Sequence, residues 1–275
     1  MNIDFMIIGA QKCGTTTLFN TLAAHPALVA CRRKEPHFFS TTESWRDNID
    51  AYHALFEQRE GARYFEASTT YTFYPLRNLA IWRAIHEYNP AMKFIYLVRE
   101  PIARITSGYM HTFERGYTDR PFEEALVEER LYIDLTRYHT QIAPYIKTFG
   151  REQVLIIDFD DLVTDRETVL RRVAAFIDID PAPLLAAEFL HLNTSVGGRK
   201  KLHHRFDAPS LPLRLVRRCA PALWRRLTDN SRRHFSAKPR LSPDFRSLVV
   251  NMLELEVLAL QELMNKDLSA WLAAD

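Results

Sequence analysis

Gly9-Ala-Gln11-Lys12-Cys13-Gly14-Thr15-Thr16-Thr17 places two glycines at G-x-x-x-x-G spacing directly after the apolar run Phe5 to Ile8. Between a strand and a helix, such a loop turns its backbone N–H groups inward, and the helix behind presents its positive end. The chemistry this suits is the binding of a phosphate or sulfate group. Nucleoside triphosphatases carry Lys and Ser/Thr straight after the second glycine; here Lys12 lies inside the loop and three threonines follow. From there Lys12 can reach an oxygen bridging two acidic groups, with Thr15, Thr16 and Thr17 offering hydroxyls to the rest. The competing reading is a plain strand-to-helix turn.

A second cationic position follows the run Lys93-Phe-Ile-Tyr-Leu-Val-Arg99. A kinase or ATPase would end such a strand in Asp to hold magnesium, whereas this one ends in a cation that calls for an anion. Glu100-Pro101-Ile-Ala-Arg104-Ile-Thr-Ser107-Gly-Tyr109 then opens a helix with Pro at an early position, which sets Arg99 and Ser107 near one crevice. Two separate anion sites, without a carboxylate for a metal at that strand end, describe a nucleotide with phosphates at both its 5′ and 3′ positions.

Lys34-Glu35-Pro36-His37-Phe38-Phe39 brings a carboxylate and an imidazole two positions apart. If the segment stays extended, both side chains share a face and one crevice can receive them. The plainer alternatives are an ion pair of Glu35 with Arg32, Arg33 or Lys34, and a packed His37. His25, before Pro26, fits a turn; His53 and His111 are weaker candidates, His111 packing or lining a cleft. Tyr71-Thr-Phe-Tyr74 either shapes an acceptor pocket or belongs to the core.

The elements that must position these groups read as a parallel α/β fold. Strands fit Phe5 to Ile8, Ala27 to Cys31, Tyr64 to Ala67, Phe94 to Val98 and Val154 to Asp158. Helices fit Thr15 to Ala24, Asn78 to Tyr88, Ile102 to Thr112, Pro121 to Glu129, Thr136 to Phe149, Glu167 to Ile177 and Asp244 to Met264. Alternation of the two implies a parallel central sheet flanked by helices. Residues 192–240 differ in composition and read as a loop with short amphipathic helices, a basic cap within a single domain of residues 1–275.

Composition sets the outer bounds. The 275 residues are 47% hydrophobic and 25% charged, as in ordinary globular proteins, and the formal net charge is +2. That balance hides a division: thirteen Lys/Arg stand against two Asp between Arg199 and Arg240, so the rest of the chain is net negative. Cys13, Cys31 and Cys219 are odd in number and widely spaced, which speaks against a disulfide framework or zinc site and for a reducing, cytoplasmic compartment. The first residues lack the basic region and long apolar core of a signal peptide, and no apolar run approaches the roughly 20 residues that span a bilayer. Peripheral contact of the basic cap with an anionic membrane stays open, as does the oligomeric state. Nothing points to nucleic acid.

The two anion motifs resemble those of sulfotransferases that use 3′-phosphoadenosine 5′-phosphosulfate (PAPS). Gln11-Lys12-Cys13-Gly14-Thr15-Thr16 looks like their 5′-phosphosulfate loop, and Arg99-Glu-Pro-x-x-Arg104-x-x-Ser107-x-Tyr109 like their 3′-phosphate motif. The resemblance is closest to the domains that modify heparan sulfate and their bacterial relatives. Gln153 to Leu162, Gly198-Arg199-Lys200 and Lys266-Asp267-Leu268-Ser269-x-Trp271 are similar to their late strand, cofactor-closing loop and C-terminal end. Glu35-x-His37-Phe-Phe is similar to their signature, in which the Glu is the catalytic base and the His lies beside the acceptor.

The resemblance implies a P-loop-like sulfotransferase fold and transfer of a sulfuryl group to a hydroxyl or amine. Adenosine 3′,5′-bisphosphate would be the spent product, with no metal required. It implies Glu35 as base, His37 beside it or in its place, and Lys12 at the leaving phosphate. Gln11 to Thr17, Arg99, Ser107, Gly198 and Arg199 would hold the cofactor. The sequence departs from the heparan enzymes at Gly197 and Ala67, where they have lysines that serve cofactor and acceptor. The acceptor, a glycan or other small or lipid-linked metabolite, therefore stays unassigned. A nucleotide kinase and a non-catalytic polyanion- or membrane-surface-binding protein are the alternative readings.

Overall fold

Five runs rich in β-branched and aromatic residues pair side by side in the computed structural model, which describes residues 1–75, 80–186 and 235–273. These are β1 (Phe5–Gly9), β2 (Leu28–Ala30), β3 (Arg63–Ala67), β4 (Lys93–Val98) and β5 (Val154–Asp158), in the order β2-β3-β1-β4-β5. Every pairing is parallel. Parallel neighbours need crossover connections, and helices supply them. α1 (Thr15–Ala23) follows β1; α2 (Phe38–Thr41) and α3 (Ile49–His53) lie between β2 and β3; α4 (Ile81–Tyr88) precedes β4. α5 (Pro101–Glu114), α6 (Phe122–Glu128), α7 (Leu131–Asp134) and α8 (Tyr138–Phe149) separate β4 from β5. α9 (Phe159–Thr164), α10 (Arg166–Ile177) and α11 (Ala182–Ala186) follow, and α12 (Pro243–Met264) packs on α8 and α5.

The chain leaves β1 toward β2 and leaves β4 toward β5, so direction reverses between the adjacent strands β1 and β4. In open parallel sheets the crevice beyond the carboxyl ends of such strands is where ligands bind. Both anion motifs begin at those two ends.

Helices on both faces let β1 be apolar throughout, and all five of its residues are buried. Phe5 stacks on Phe65 at 4.8 Å between ring centres, and Phe94 meets Tyr145 and Phe149 at 5.0 and 4.6 Å. A second apolar cluster, with Ile105, Tyr109, Phe122, Ile133 and Leu253, joins α5, α6, α7 and α12 away from the sheet. The sheet and its principal helices match the expected parallel α/β architecture, mostly within two residues at each described end. The helix expected from Asn78 begins at Ile81, after Ala80 in a non-helical conformation (φ −134°, ψ 14°); residues 76–79 lie outside the described residues. The one expected over Thr136 to Phe149 begins at Tyr138, behind a separate short turn, α7.

α2 and α3 have no counterpart in the sequence reading, since four and five residues are too few to display helical period. They are held by aromatic packing: Phe38 stacks on Tyr52 at 4.3 Å, and Phe39 meets Tyr52 edge-on at 5.7 Å. Of the basic cap, residues 192–234 lie outside the described residues. Phe235, just beyond, packs on Tyr109 and Phe113.

Gly14 and Gly61 both have left-handed backbone, at φ +90° and +70°, but differ in surroundings. A Cβ at Gly14 would meet the Phe159 ring at 2.6 Å, whereas one at Gly61 would have nothing within 4 Å. Gly61→Ala should cost only the backbone strain, about 1–2 kcal/mol. Gly14→Ala should add an overpacking cost of roughly 1–3 kcal/mol. Denaturant melts of the two variants check this, and equal losses would contradict it.

Candidate active site

The loop after β1 is shaped by what it presses against. A Cβ on Gly9 would lie 2.4 Å from Thr72 Oγ1 and 2.8 Å from the Tyr96 ring, so the strand passes there only without a side chain. Ala10 N donates to the Leu97 carbonyl of β4 at 2.7 Å, and Cys13 N to the Ala10 carbonyl at 3.2 Å. Lys12 and Gly14 take positive φ, +74° and +90°, and Gly14 is the N-cap of α1. No side chain caps that helix and no acidic residue occupies its first turn. Its positive end is therefore left for an anion.

Of the residues expected in this loop, Gln11, Lys12, Gly14 and Thr16 are half-buried, while Thr15 and Thr17 are buried. Cys13 points into the core, its sulfur 3.7 Å from the Tyr138 hydroxyl, and burial pushes its thiol up to about 11. Its side chain is packing, which leaves its backbone to face a ligand.

Arg104 fastens this loop to the second motif. Its side chain, 1% exposed, donates from Nε to the Gln11 carbonyl at 3.1 Å and from Nη2 to Gln11 Oε1 at 3.4 Å. Nη1 donates to the Tyr132 carbonyl at 2.9 Å and to Thr136 Oγ1 at 3.3 Å. At the end of β4, Arg99 lies with its guanidinium 4.7 Å from the centre of the Phe159 ring. Its Nε is buried without a hydrogen-bond partner among the described residues. Glu100 caps α5 by accepting from the Ile102 and Ala103 amides, with Pro101 as first helical residue. Ser107, one turn beyond Arg104 on α5, is half-buried. Gly198 and Arg199 lie outside the described residues.

Glu35 and His37 do come together, though not on an extended segment. Both have left-handed backbone, φ +60° and +58°, and His37 is the N-cap of α2. The contact arises by folding the segment against the end of β3: Glu35 N donates to the Ala67 carbonyl at 2.8 Å and His37 N to Ser68 Oγ at 3.0 Å. Glu35 Oε2 then sits 3.5 Å from His37 Nε2 and accepts from Thr69 Oγ1 at 3.5 Å, while Oε1 accepts from Lys34 Nζ at 2.8 Å. His37 Nδ1 lies 2.8 Å from Thr70 Oγ1. The turn Thr69–Thr72 links this pair to the anion loop, since Thr72 Oγ1 donates to the Ile8 carbonyl at 2.9 Å.

The remaining histidines separate clearly. His25 is buried in a turn, Nδ1 accepting from Ala27 N and Nε2 against the Asp180 carbonyl. His53 bonds the Tyr88 hydroxyl and is held below its usual range by burial. His111 is half-buried on α5. In the Tyr71 to Tyr74 cluster, Tyr71 belongs to the core, and Tyr74 packs edge-on against Trp82 at 5.5 Å.

Sequence reasoning did not assign Glu66, which is fully buried beneath the Glu35–His37 segment. Tyr71 OH and Tyr52 OH donate to its Oε1 at 2.6 and 3.1 Å, and Ser68 Oγ to its Oε2 at 2.7 Å. The available signal was a lone carboxylate in an apolar strand, Tyr64-Phe-Glu-Ala67, which must find partners when buried. At the end of β5, Asp158 and the nearby Asp161 both accept from Lys266 Nζ, at 2.6 and 2.7 Å. Among the described residues no cluster of His, Cys, Asp or Glu is placed to hold a metal ion, and no helix is long and apolar enough to cross a membrane.

An uncapped helix end behind a glycine loop, a second cation at the neighbouring strand end and a carboxylate–imidazole pair at the end of β3 are features suited to an α/β group-transfer protein with an anionic substrate. The sulfotransferase domain model matches residues 2–192, and the chain belongs to that family. It is similar to a sulfotransferase from Alicyclobacillus acidocaldarius of known crystal structure, with TM-score 0.69 and 26% identity over 98% of this chain and 99% of that one. The sulfotransferase domain of the curacin biosynthetic pathway shares the fold, with TM-score 0.50 and 16% identity over 70% of this chain and 81% of that one. Among curated proteins it is similar to heparan sulfate glucosamine 3-O-sulfotransferase 5 of Mus musculus, 27% identical over 64% of this chain and 53% of that protein. The chain thus spans about half the length of the curated relatives it matches.

Burial raises the Glu66 carboxyl from 4.5 to about 7, with the three hydroxyl bonds pulling the other way. Its folded value lies above its unfolded one, so the folded protein binds the extra proton. The stability this group contributes is full below about pH 4.5 and is lost as pH rises to about 7. Glu66→Gln, neutral throughout, should remove that slope. Measured by denaturant melts between pH 4.5 and 8, wild type should lose on the order of 3 kcal/mol relative to the variant. Parallel stability curves for the two proteins would contradict a carboxyl shifted upward.

Proposed function

We propose that this chain transfers a sulfuryl group from PAPS to a hydroxyl or amine of an acceptor, a carbohydrate or another small or lipid-linked metabolite. The observation that carries the reading is Arg99 at the end of β4, whose Nε, like those of Arg137 and Arg246 elsewhere, is buried with no hydrogen-bond partner among the described residues. It lies one strand away from the Gly9 to Gly14 loop. An unmet buried donor costs about 1–3 kcal/mol, more when charged, and a phosphate oxygen removes that cost while the loop takes a second anion. Membership of the sulfotransferase family and the likeness to other sulfotransferases support sulfuryl transfer.

Bound there, PAPS would supply the sulfuryl group and a phosphate able to leave with its electrons. Gln11, Lys12, the Cys13 backbone, Gly14, Thr15, Thr16 and Thr17 would hold the 5′ end, and Arg99 with Ser107 the 3′-phosphate. Gly198 and Arg199 would close over it from the cap, in a single domain. Glu35 would take the proton of the acceptor hydroxyl or amine as that atom attacks in line. Lys12, from its left-handed position in the loop, would meet the charge that grows on the departing phosphate. His37, 3.5 Å from Glu35, would orient that carboxylate or share the proton.

Metal-dependent phosphoryl transfer fits less well. β4 ends in a cation, and the carboxylate at the end of β5, Asp158, is already engaged by Lys266. The reading is tested with sulfur-labelled PAPS and glycan and small-molecule acceptor pools in EDTA. Label should move to acceptor, Lys12→Ala should lower kcat strongly, and Glu35→Gln should lower it by about 10²–10⁴-fold while adenosine 3′,5′-bisphosphate still binds. Label transfer that required magnesium, or normal turnover by Glu35→Gln alongside inactivity of His37→Ala, would overturn the donor chemistry or the choice of base respectively.

A further inference from the structure

Glu66 touches none of the residues assigned to the donor, yet two of its three partners each hold one amide of the segment that carries Glu35. Ser68 Oγ donates to Glu66 and accepts from His37 N at 3.0 Å. Tyr71 OH donates to Glu66 and accepts from Phe39 N at 3.3 Å. A carboxylate only accepts, so all three hydroxyl protons must point at it, which turns the lone pairs of Ser68 and Tyr71 toward the two amides. Once the carboxyl carries a proton it becomes a donor, and one hydroxyl must turn its own hydrogen elsewhere. Where that hydroxyl is Ser68 or Tyr71, its hydrogen in a fully buried site competes for the space of the His37 or Phe39 N–H.

We propose that Glu66 is a positioning residue for the transfer reaction: its ionised carboxylate, through Ser68 and Tyr71, fixes the turn that presents Glu35 and His37, and protonation of Glu66 loosens that turn. This rests on the transfer reading above. The segment's other ties to β3 and the turn after it are the Glu35 amide on the Ala67 carbonyl, Thr69 on the Glu35 carboxylate, and Thr70 on the His37 ring and the Ser40 hydroxyl, none of which involves Glu66. The groups that face Glu66 are Tyr52 of α3, Ser68 and Tyr71 of the turn after β3, Glu35 across it, and Cys31, Tyr88 of α4 and Tyr145 of α8 at longer range. All of these are neutral or anionic. Burial and the like charge of Glu35 therefore both raise the Glu66 carboxyl, to about 7, where a modest change of pH moves its population.

The test is amide hydrogen exchange at His37 and Phe39 between pH 5.5 and 8.5, corrected for intrinsic rates, together with the pH profile of kcat. In wild type, protection of both amides should rise about tenfold or more through pH 7, and kcat should rise with it while KM for PAPS stays level. Glu66→Gln should flatten both curves and hold kcat at least about tenfold below the wild-type plateau. If Glu66→Gln does not fold, Ser68→Ala and Tyr52→Phe decide. Ser68→Ala should lose protection at His37 and keep the titration at Phe39, and Tyr52→Phe should keep both amides protected above pH 7. Protection in wild type that ignores pH, or a rising limb that persists in Glu66→Gln, would overturn the proposal. A wild-type protein inactive with PAPS would instead sink the transfer reading, and the exchange data would still decide the role of Glu66.

Discussion

A guanidinium buried to 1% exposure and answered, among the described residues, by neutral oxygens holds this site together. Arg104 donates to two carbonyls, one amide oxygen and one hydroxyl, with no carboxylate among those acceptors. Taking an unpaired cation out of water costs several kcal/mol, and the aligned dipoles of Gln11, Tyr132 and Thr136 must offset it. Burial lowers the guanidinium's affinity for its proton, yet a group of this basicity stays charged. The consequence is positional. The Gln11 carbonyl cannot move without orphaning Arg104, so the turn through Lys12 and Gly14 inherits the rigidity of α5. Among the described residues no carboxylate pairs with that charge, nor with Arg99 at the adjoining strand end.

Opposite these arginines stand two carboxylates, one of them paired with Lys34. Glu35 and Glu66 flank the ends of β2 and β3, bridged by Ser68 and Thr69, whereas Arg99 and Arg104 flank the end of β4. The Gly9 to Gly14 loop after β1 runs between them, fastened to the acidic side through Thr72 on Ile8 and to the cationic side through Ala10 on Leu97. Under the proposed transfer, a donor whose leaving group gains negative charge and an acceptor that loses a proton would use that division, cations toward one end and a carboxylate toward the other. The parallel sheet supplies it through strand order alone, since β3, β1 and β4 are consecutive neighbours.

How far the sequence revealed this depended on how local each signal was. The glycine loop, the Pro101 helix start and the apolar strands are contiguous patterns, and they appear in the structure where their spacing put them. Glu35 and His37 were legible as a pair, but the extended geometry that linked them was wrong. The contact comes from left-handed turns pinned by Ser68 and Ala67, about thirty residues away. The Arg104 lock and the Glu66 network were illegible as interactions because their partners, Gln11 and Tyr132 for one and Tyr52 for the other, are distant in sequence. Cys13 shows the reverse limit: its place in the loop suggested a ligand, and only packing against Tyr138 shows that the thiol turns away.

The central claim is that two separate anion sites share one crevice without a metal, and calorimetric binding of adenosine 3′,5′-bisphosphate and adenosine 5′-phosphate in EDTA tests it most directly. The account predicts that the bisphosphate binds more tightly than the monophosphate by about tenfold or more, as a charge-assisted phosphate contact requires. Arg99→Ala and Ser107→Ala should erase that preference while leaving monophosphate affinity nearly unchanged. Binding that appeared only with magnesium, a preference for ATP, or equal losses for both ligands in the two variants would contradict it.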